Sequence, residues 1–153
     1  MRHSEFLIGI RCILQLYETC GRPVREEYGL TRTEFDILAF LANNPGLDTA
    51  SDIVGLRRLP KANVSQAVES LIGKGLLLRR PDLRDRRRIH LAPTGAGQAL
   101  LPEISAAQRR FFEMLLKDFS PTERELFLQM NARIVQNAHA AQERMGSDDG
   151  SGT

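Results

Sequence analysis

Apolar residues recur at helical spacing over most of the chain. Phe6, Ile10, Ile13, Leu14 and Tyr17 fall on one face of a first helix, which Ser4 is placed to cap and which Gly21 with Pro23 is expected to end. Thr31 and Glu34 have the spacing of a capping box ahead of Phe35, Leu38, Leu41 and Ala42, so a second helix starts there and stops at NNPG, Asn43 to Gly46. Thr49 opens a short third helix, TASDIVGL. A fourth follows in RRLPKANVSQAVESLIGKG, with Val64, Val68, Leu71 and Ile72 on its inner face and Gly75 closing it.

The period then changes. Leu76 to Leu78 and Ile89 to Leu91 are apolar ends on either side of an arginine-rich centre, which predicts two short strands joined by a charged tip. Helical spacing resumes after Thr94, a cap, with Ile104, Ala107, Phe111 and Leu115 on one face and Pro102 expected to kink or break the run. Ser120, Pro121 and Glu123 start a last helix through Leu126, Met130 and Ile134. The tail GSDDGSGT is expected to be disordered.

With 153 residues, 42% of them hydrophobic, the chain has the size of one domain with a real core. No apolar run approaches a bilayer span, and Arg11 interrupts the first apolar stretch too early for a good export signal, so the expected location is cytoplasmic, with no membrane contact. Cys12 and Cys20 are separated by roughly 12 Å of helical rise, too far to bond each other within one helix. The histidines are scattered, and neither a phosphate-binding glycine loop nor a Ser-His-Asp set nor an HExxH pairing occurs. The expectation is no metal, no cofactor and no enzyme.

Charge adds the first functional signal. Between Arg57 and Arg88 there are ten Lys/Arg against three acids, a local balance of +7, so with a net charge of +2 the rest of the chain carries −5. A basic middle between acidic ends points to a polyanion as partner. Helices followed by a hairpin and another helix give a mainly α fold with a small β-hairpin wing, the order of a winged helix-turn-helix. One helix can enter the major groove while arginines on the hairpin reach the backbone or the neighbouring minor groove.

The residues Asp82, Asp85, Arg86, Arg87, Leu91, Thr94 and Gly97 fit, without a gap, the wing signature D-x-x-D-R-R-x-x-x-(apolar)-x-L-T-x-x-G. Together with GLTRTEFDILAFLANNPG and VSQAVESLIGKGLLLR, this signature resembles the MarR family of bacterial transcriptional regulators. Pro93 stands where that family has leucine, so the return strand is expected to end early. The resemblance implies a single domain over 1–145. Within it, a winged-helix lobe spans about 30–97 and dimerisation helices lie in 1–22 and 98–145, leaving 146–153 as the tail.

By the same resemblance Arg87 enters the minor groove, and Asp85 holds the tip by pairing with an arginine. Arg84 and Arg86 suit phosphate, while Arg79, Arg80 and Arg88 are strand charges facing water. Lys61, Asn63, Ser65 and Gln66 lie outside the apolar face of the fourth helix; Asn and Gln can read adenine, whereas Lys and Ser suit phosphate. The implied partners are a second copy of the chain, an inverted repeat in double-stranded DNA, and a small aromatic or phenolic ligand. Phe111, Phe112, Phe119 and Phe127 are assigned to the dimer interface, with packing inside one chain as the alternative. Tyr17 and Tyr28, with Arg11 as anion partner, are placed around the ligand. Two further readings stay open. One is a thiol-based redox sensor, since RCILQLY sets Cys12 ahead of Tyr17 much as in a peroxide-sensing branch of the family; the other is a winged helix that docks an acidic protein.

Overall fold

The computed structural model describes residues 2–148. Among these the chain forms α1 (His3–Tyr28), α2 (Arg32–Asn43), α3 (Ala50–Arg57), α4 (Lys61–Gly73), β1 (Leu77–Pro81), β2 (Ile89–Pro93), α5 (Gly95–Leu115) and α6 (Pro121–Asp148). Two compact units divide it, Met1–Glu113 and Met114–Thr153. No helix among the described residues is long and apolar enough to cross a membrane.

The core of the first unit takes in Phe35 and Leu38 of α2 and Val64, Val68 and Leu71 of α4 as periodicity predicts, but the expected Leu41, Ala42 and Ile72 are only half-buried while Ile37, Ala39 and Phe40 are buried. Phe35, Ile37 and Leu38 of α2, Ile53 of α3, and Val64, Val68 and Leu71 of α4 are buried together with Leu77, Leu91, Leu100 and Ile104. Thr49 caps α3 in a complete box: its hydroxyl accepts the Asp52 N–H at 3.1 Å, and the Asp52 carboxylate accepts the Thr49 N–H at 3.1 Å. α4 ends in the left-handed Gly75 (φ 73°), with the Leu76 N–H reaching back to the Leu71 carbonyl and that of Gly75 to Ile72. The chain thereby turns directly into β1. The hairpin pairs Leu77 with Pro93 and Pro81 with Ile89, antiparallel throughout.

Several sequence expectations are corrected. α1 begins at His3 with Arg2 as its cap residue, which places Ser4 inside the first turn. Nor does α1 stop at Gly21 and Pro23; it continues to Tyr28 and ends at Gly29 in the left-handed region (φ 64°). Gly21 is there for packing, because a Cβ at that position would lie 3.3 Å from the Phe35 ring. The dimerisation segment assigned to 1–22 therefore ends inside a continuous helix. Pro102 causes no break, for α5 runs unbroken across it.

Pro93 does not shorten β2. The Thr94 N–H points to β1, bonding the Leu76 carbonyl, so strand alternation turns position 93 the other way and its missing N–H removes no rung. Residues 146–148 of the expected tail belong to α6, and 149–153 lie outside the described residues. In the second unit the start of α6 follows expectation: the Glu123 carboxylate accepts the Ser120 N–H, and the Ser120 hydroxyl accepts that of Glu123.

Candidate nucleic-acid interface

α3 and α4 meet through a short turn in which Arg58 adopts a left-handed conformation (φ 53°) and Pro60 leads into α4. With Val64, Ala67, Val68 and Leu71 buried, Lys61, Asn63, Ser65 and Gln66 are all exposed on the first two turns of α4. These turns would present side chains to base edges if α4 lay in a groove.

What holds α4 against α2 is a buried polar lock that the sequence pattern only half indicates. Thr31 caps α2, its hydroxyl accepting the Glu34 N–H at 3.2 Å, but the Glu34 carboxylate does not return to close the box. Glu34 is only 2% exposed and instead accepts from the Lys74 ammonium at 2.6 Å and the Ser70 hydroxyl at 3.3 Å. The same ammonium donates to the Gly29 carbonyl at 2.6 Å. One residue pair thus ties the end of α1, the start of α2 and the end of α4. A buried carboxylate needs such partners, because burying it unpaired is costly.

The wing tip is organised by carboxylates, and chiefly by a different one from that expected. Asp82 accepts the backbone N–H groups of Arg84 (3.0 Å) and Asp85 (2.8 Å). Asp85 accepts the Arg87 N–H at 3.0 Å, so its support of the tip runs through the backbone and not through pairing with an arginine side chain. Turn carboxylates commonly bind the backbone in this way, which leaves the guanidinium groups unused by the turn itself. Arg84, Arg86 and Arg87 are exposed, as is Leu83 just before them. Arg80 and Arg88 are also exposed, whereas Arg79 pairs with Glu69 of α4 and ties the wing to that helix.

Asp85, Arg87, Arg88 and Ile89 border a shared depression with Thr49 to Asp52 at the N-terminal end of α3. At the far end of the hairpin, Gly97 comes so close to the Leu76 carbonyl that a Cβ would sit 2.1 Å from its oxygen. The Gly97 N–H bonds the Thr94 hydroxyl, which in turn donates to the Gly75 carbonyl at 2.5 Å. The Thr and Gly of the wing signature thus weld α4, β2 and α5 at one point.

His90, which no sequence motif singled out, joins two separate segments. Its Nδ1 lies 2.5 Å from Asp48 Oδ1 and its Nε2 2.7 Å from Asp82 Oδ1. The bonds to Asp48 and then Asp82 raise the His90 pKa above the ordinary histidine value, and the His90 bond, helped by the tip N–H groups, lowers Asp82 to about 2.

The expected ligand residues separate into those that meet and those that do not. Arg11 and Tyr17 line one crevice of about 380 Å³ between α1 and α2, together with Glu18, Arg25, Arg32 and Asp36. Arg25 approaches Glu18 at 3.6 Å, and Arg32 pairs with the same carboxylate. Asp36 pairs with Arg57 at 2.9 Å; burial raises its pKa, and the guanidinium opposes that shift. Burial likewise pushes the Tyr17 phenol up, against the Gln108 amide that donates to its oxygen at 3.2 Å.

Tyr28 is not in the crevice: its hydroxyl donates to Glu103 of α5 at 2.9 Å. Cys12 is exposed and does not line the crevice, and Cys20 is buried. Phe111, assigned to an interface, is buried within its own chain and stacks edge-on with Tyr17 at 5.2 Å, whereas Phe112 and Phe119 are exposed.

Comparison with known proteins places this arrangement. A sequence model of the MarR family matches residues 28–88, from the end of α1 to the wing. The HTH-type transcriptional regulator PetP of Rhodobacter capsulatus is 32% identical over 85 residues, which cover 56% of this chain and 49% of that protein. A MarR family transcriptional regulator from Listeria monocytogenes, solved in complex with a 26-mer DNA, superposes with a TM-score of 0.82 at 20% identity, covering 100% of this chain and 99% of its own. Bordetella bronchiseptica BpsR, from a study of how 6-hydroxynicotinic acid regulates its DNA binding, gives 0.68 at 21% identity over 86% of this chain and 98% of its own. The match covers the lobe from residue 28 into the wing motif, and the solved structures share the mainly α winged fold, so over that lobe the chain is similar to the MarR family.

Proposed function

We propose that the protein is a cytoplasmic, dimeric transcriptional regulator that reads an inverted repeat in double-stranded DNA and is released from it by a small aromatic acid. The observation that carries the reading is the pairing, on one lobe, of an exposed polar face on α4 (Lys61, Asn63, Ser65, Gln66) with a wing whose carboxylates bind backbone and leave Arg84, Arg86 and Arg87 exposed. On this reading Arg87 enters the minor groove, where the negative potential favours it, and Arg84 and Arg86 neutralise phosphates. Asn63 and Gln66 read bases, and Lys61 and Ser65 position the helix. Naming of the relatives as transcriptional regulators, and the Listeria protein's complex with DNA, support it.

Dimerisation is supported by apolar surface that each unit leaves bare. On α1 these are Phe6, Leu7, Ile10, Ile13 and Leu14; on α6, Leu126, Met130, Ile134 and Val135. A soluble chain buries such stripes against a partner. The residues 1–22 and 98–145 serve this role, with α1 continuing past the first boundary to Tyr28, just before the lobe at 30–97.

The α1–α2 crevice is the proposed effector site. Its three arginines against two acids favour an anion, Tyr17 and Phe35 supply an aromatic wall, and its volume suits a small molecule. The Bordetella relative's regulation by 6-hydroxynicotinic acid is consistent with that chemistry. Gel shift at low salt, with light scattering on the same sample, tests the proposal. A dimer that shifts duplex DNA and is released by salicylate-like acids supports it, and a monomer that leaves DNA unshifted contradicts it. Cys12 supplies the redox alternative through its exposure. Peroxide-reversible loss of DNA binding, abolished in Cys12→Ser, would favour that version.

A further inference from the structure

We propose that His90 is a positioning residue for DNA binding: as an imidazolium it clamps the wing tip to the segment before α3, fixing the arrangement in which the wing presents its arginines. The proposal rests on the DNA-binding reading above and adds to it the group that sets the wing.

The geometry requires a doubly protonated ring. Each ring nitrogen faces a carboxylate oxygen, Asp48 Oδ1 at 2.5 Å and Asp82 Oδ1 at 2.7 Å. An ionised carboxylate only accepts, and a neutral imidazole donates from one nitrogen while offering a lone pair from the other. A neutral ring would therefore turn a lone pair toward one of the two acids, and one link would open. Only the imidazolium donates to both.

The two links join parts of the chain that lie far apart in sequence. Asp48 precedes the α3 cap, and the backbone reinforces this side: the Leu91 N–H donates to the Asp48 carbonyl at 2.7 Å, and Thr49 and His90 form an isolated β-bridge. Asp82, on the other side, is the residue that also accepts the Arg84 and Asp85 N–H groups. Where Asp82 goes, the tip backbone carrying Arg84, Arg86 and Arg87 follows.

Other charges surround the ring. Arg80 is its cross-strand partner on β1, Arg84 borders the same depression from the tip, and from α3 Asp52 interacts with Arg88. Desolvation opposes the charged ring, but the bonds to Asp48 and Asp82 prevail, so the His90 pKa is raised. A raised folded-state pKa means that the clamp is complete below the ordinary histidine value and is lost as pH rises through the raised one. Asp82, lowered to about 2, stays ionised throughout that range.

A second cation close to phosphate would also help binding, and the test must separate the two roles. Binding of a fluorescein-labelled duplex of random sequence is measured by anisotropy from mildly acid to mildly alkaline pH at fixed ionic strength, for wild type, His90→Gln and Asp48→Asn. The ring protons of His90, assigned by comparison with the His90→Gln spectrum, are followed by NMR. The expected result is a His90 titration above the ordinary histidine value, and a wild-type affinity that falls about five-fold or more across it. His90→Gln should bind weakly with a flat profile. Asp48→Asn should also bind more weakly and lose the pH step, although it removes a negative charge beside the wing. A His90 that titrates at or below the ordinary histidine value, or an Asp48→Asn protein that binds more tightly with its pH step intact, would overturn the clamp. Wild-type protein that binds no DNA at any pH would instead remove the DNA-binding reading, while the NMR arm still judges the two carboxylate links.

Discussion

The winged lobe and α6 solve the problem of apolar surface in opposite ways. Between Leu30 and Gly97 the apolar faces close on one another, leaving Ile37, Leu38, Ile53, Val64 and Leu71 with 0% exposure. α6 runs for 28 residues, has no buried residue over 121–146, and shows Leu126, Leu128, Met130, Ile134 and Val135 to solvent. The lobe closes its core together with Val24 of α1 and Leu100, Ile104 and Ala107 of α5, so its outer surface is free to be specific. α6 has apolar surface to offer but no core to defend, which is why it is proposed to pack against a second chain.

That contrast can be broken most severely inside the lobe. Leu71→Ala should cost about 2–5 kcal/mol of unfolding free energy in a denaturant titration, since it removes buried methyl groups from a site closed on every side. The lock between α2 and α4 comes next. Lys74→Met leaves Glu34 buried without its cation and should cost about 3 kcal/mol, toward the low end for a broken buried pair because Lys74 itself is one-third exposed. A Glu34→Gln/Lys74→Met double variant should recover part of that loss, which a double-mutant cycle would read.

DNA binding sharpens the comparison at intermediate cost. Asn63→Ala or Gln66→Ala should relax base preference by about 1–3 kcal/mol at one position, whereas Arg87→Ala should weaken most sites and lower the salt slope. Thr49→Ala, which removes a complete capping box, should destabilise by about 1 kcal/mol, and Thr31→Ala, whose box is only half formed, by less. The smallest effect belongs to α6. Ile134→Ser should change the unfolding of the lobe by less than about 0.5 kcal/mol while lowering the mass seen by light scattering at a given concentration.

Element types were legible in the sequence because they depend on local patterns. The inner face of α4, the box at Thr49 and the Ser120–Glu123 start are all set by residues within a turn of one another. Two of the errors came where a distant partner decided the outcome. Gly21 and Pro23 look like a helix end, but Gly21 is small because Phe35 packs on it, and the real stop is the left-handed Gly29. Glu34 has the spacing of a capping carboxylate, yet Lys74, forty residues later, takes it.

The site was legible to the same degree and for the same reason. The exposed positions on α4 and the wing arginines follow from period and motif. The His90 links to Asp48 and Asp82 do not, because one partner lies 42 residues away and neither spacing has a local meaning. Of the residues assigned to a ligand, Arg11 and Tyr17 share a helix face and meet in the crevice, while Tyr28 turns to Glu103 instead.

The central claim is that α4 and the wing read DNA as a pair, twice, across a two-fold axis. Selection of bound sequences from a random duplex pool, followed by footprinting on the selected site, tests it most directly. The account predicts an inverted repeat whose half-sites are protected about one helical turn apart, with Arg87→Ala weakening protection in the flanking minor grooves. Recovery of no enriched sequence, or of a single half-site protected by a monomer, would contradict it.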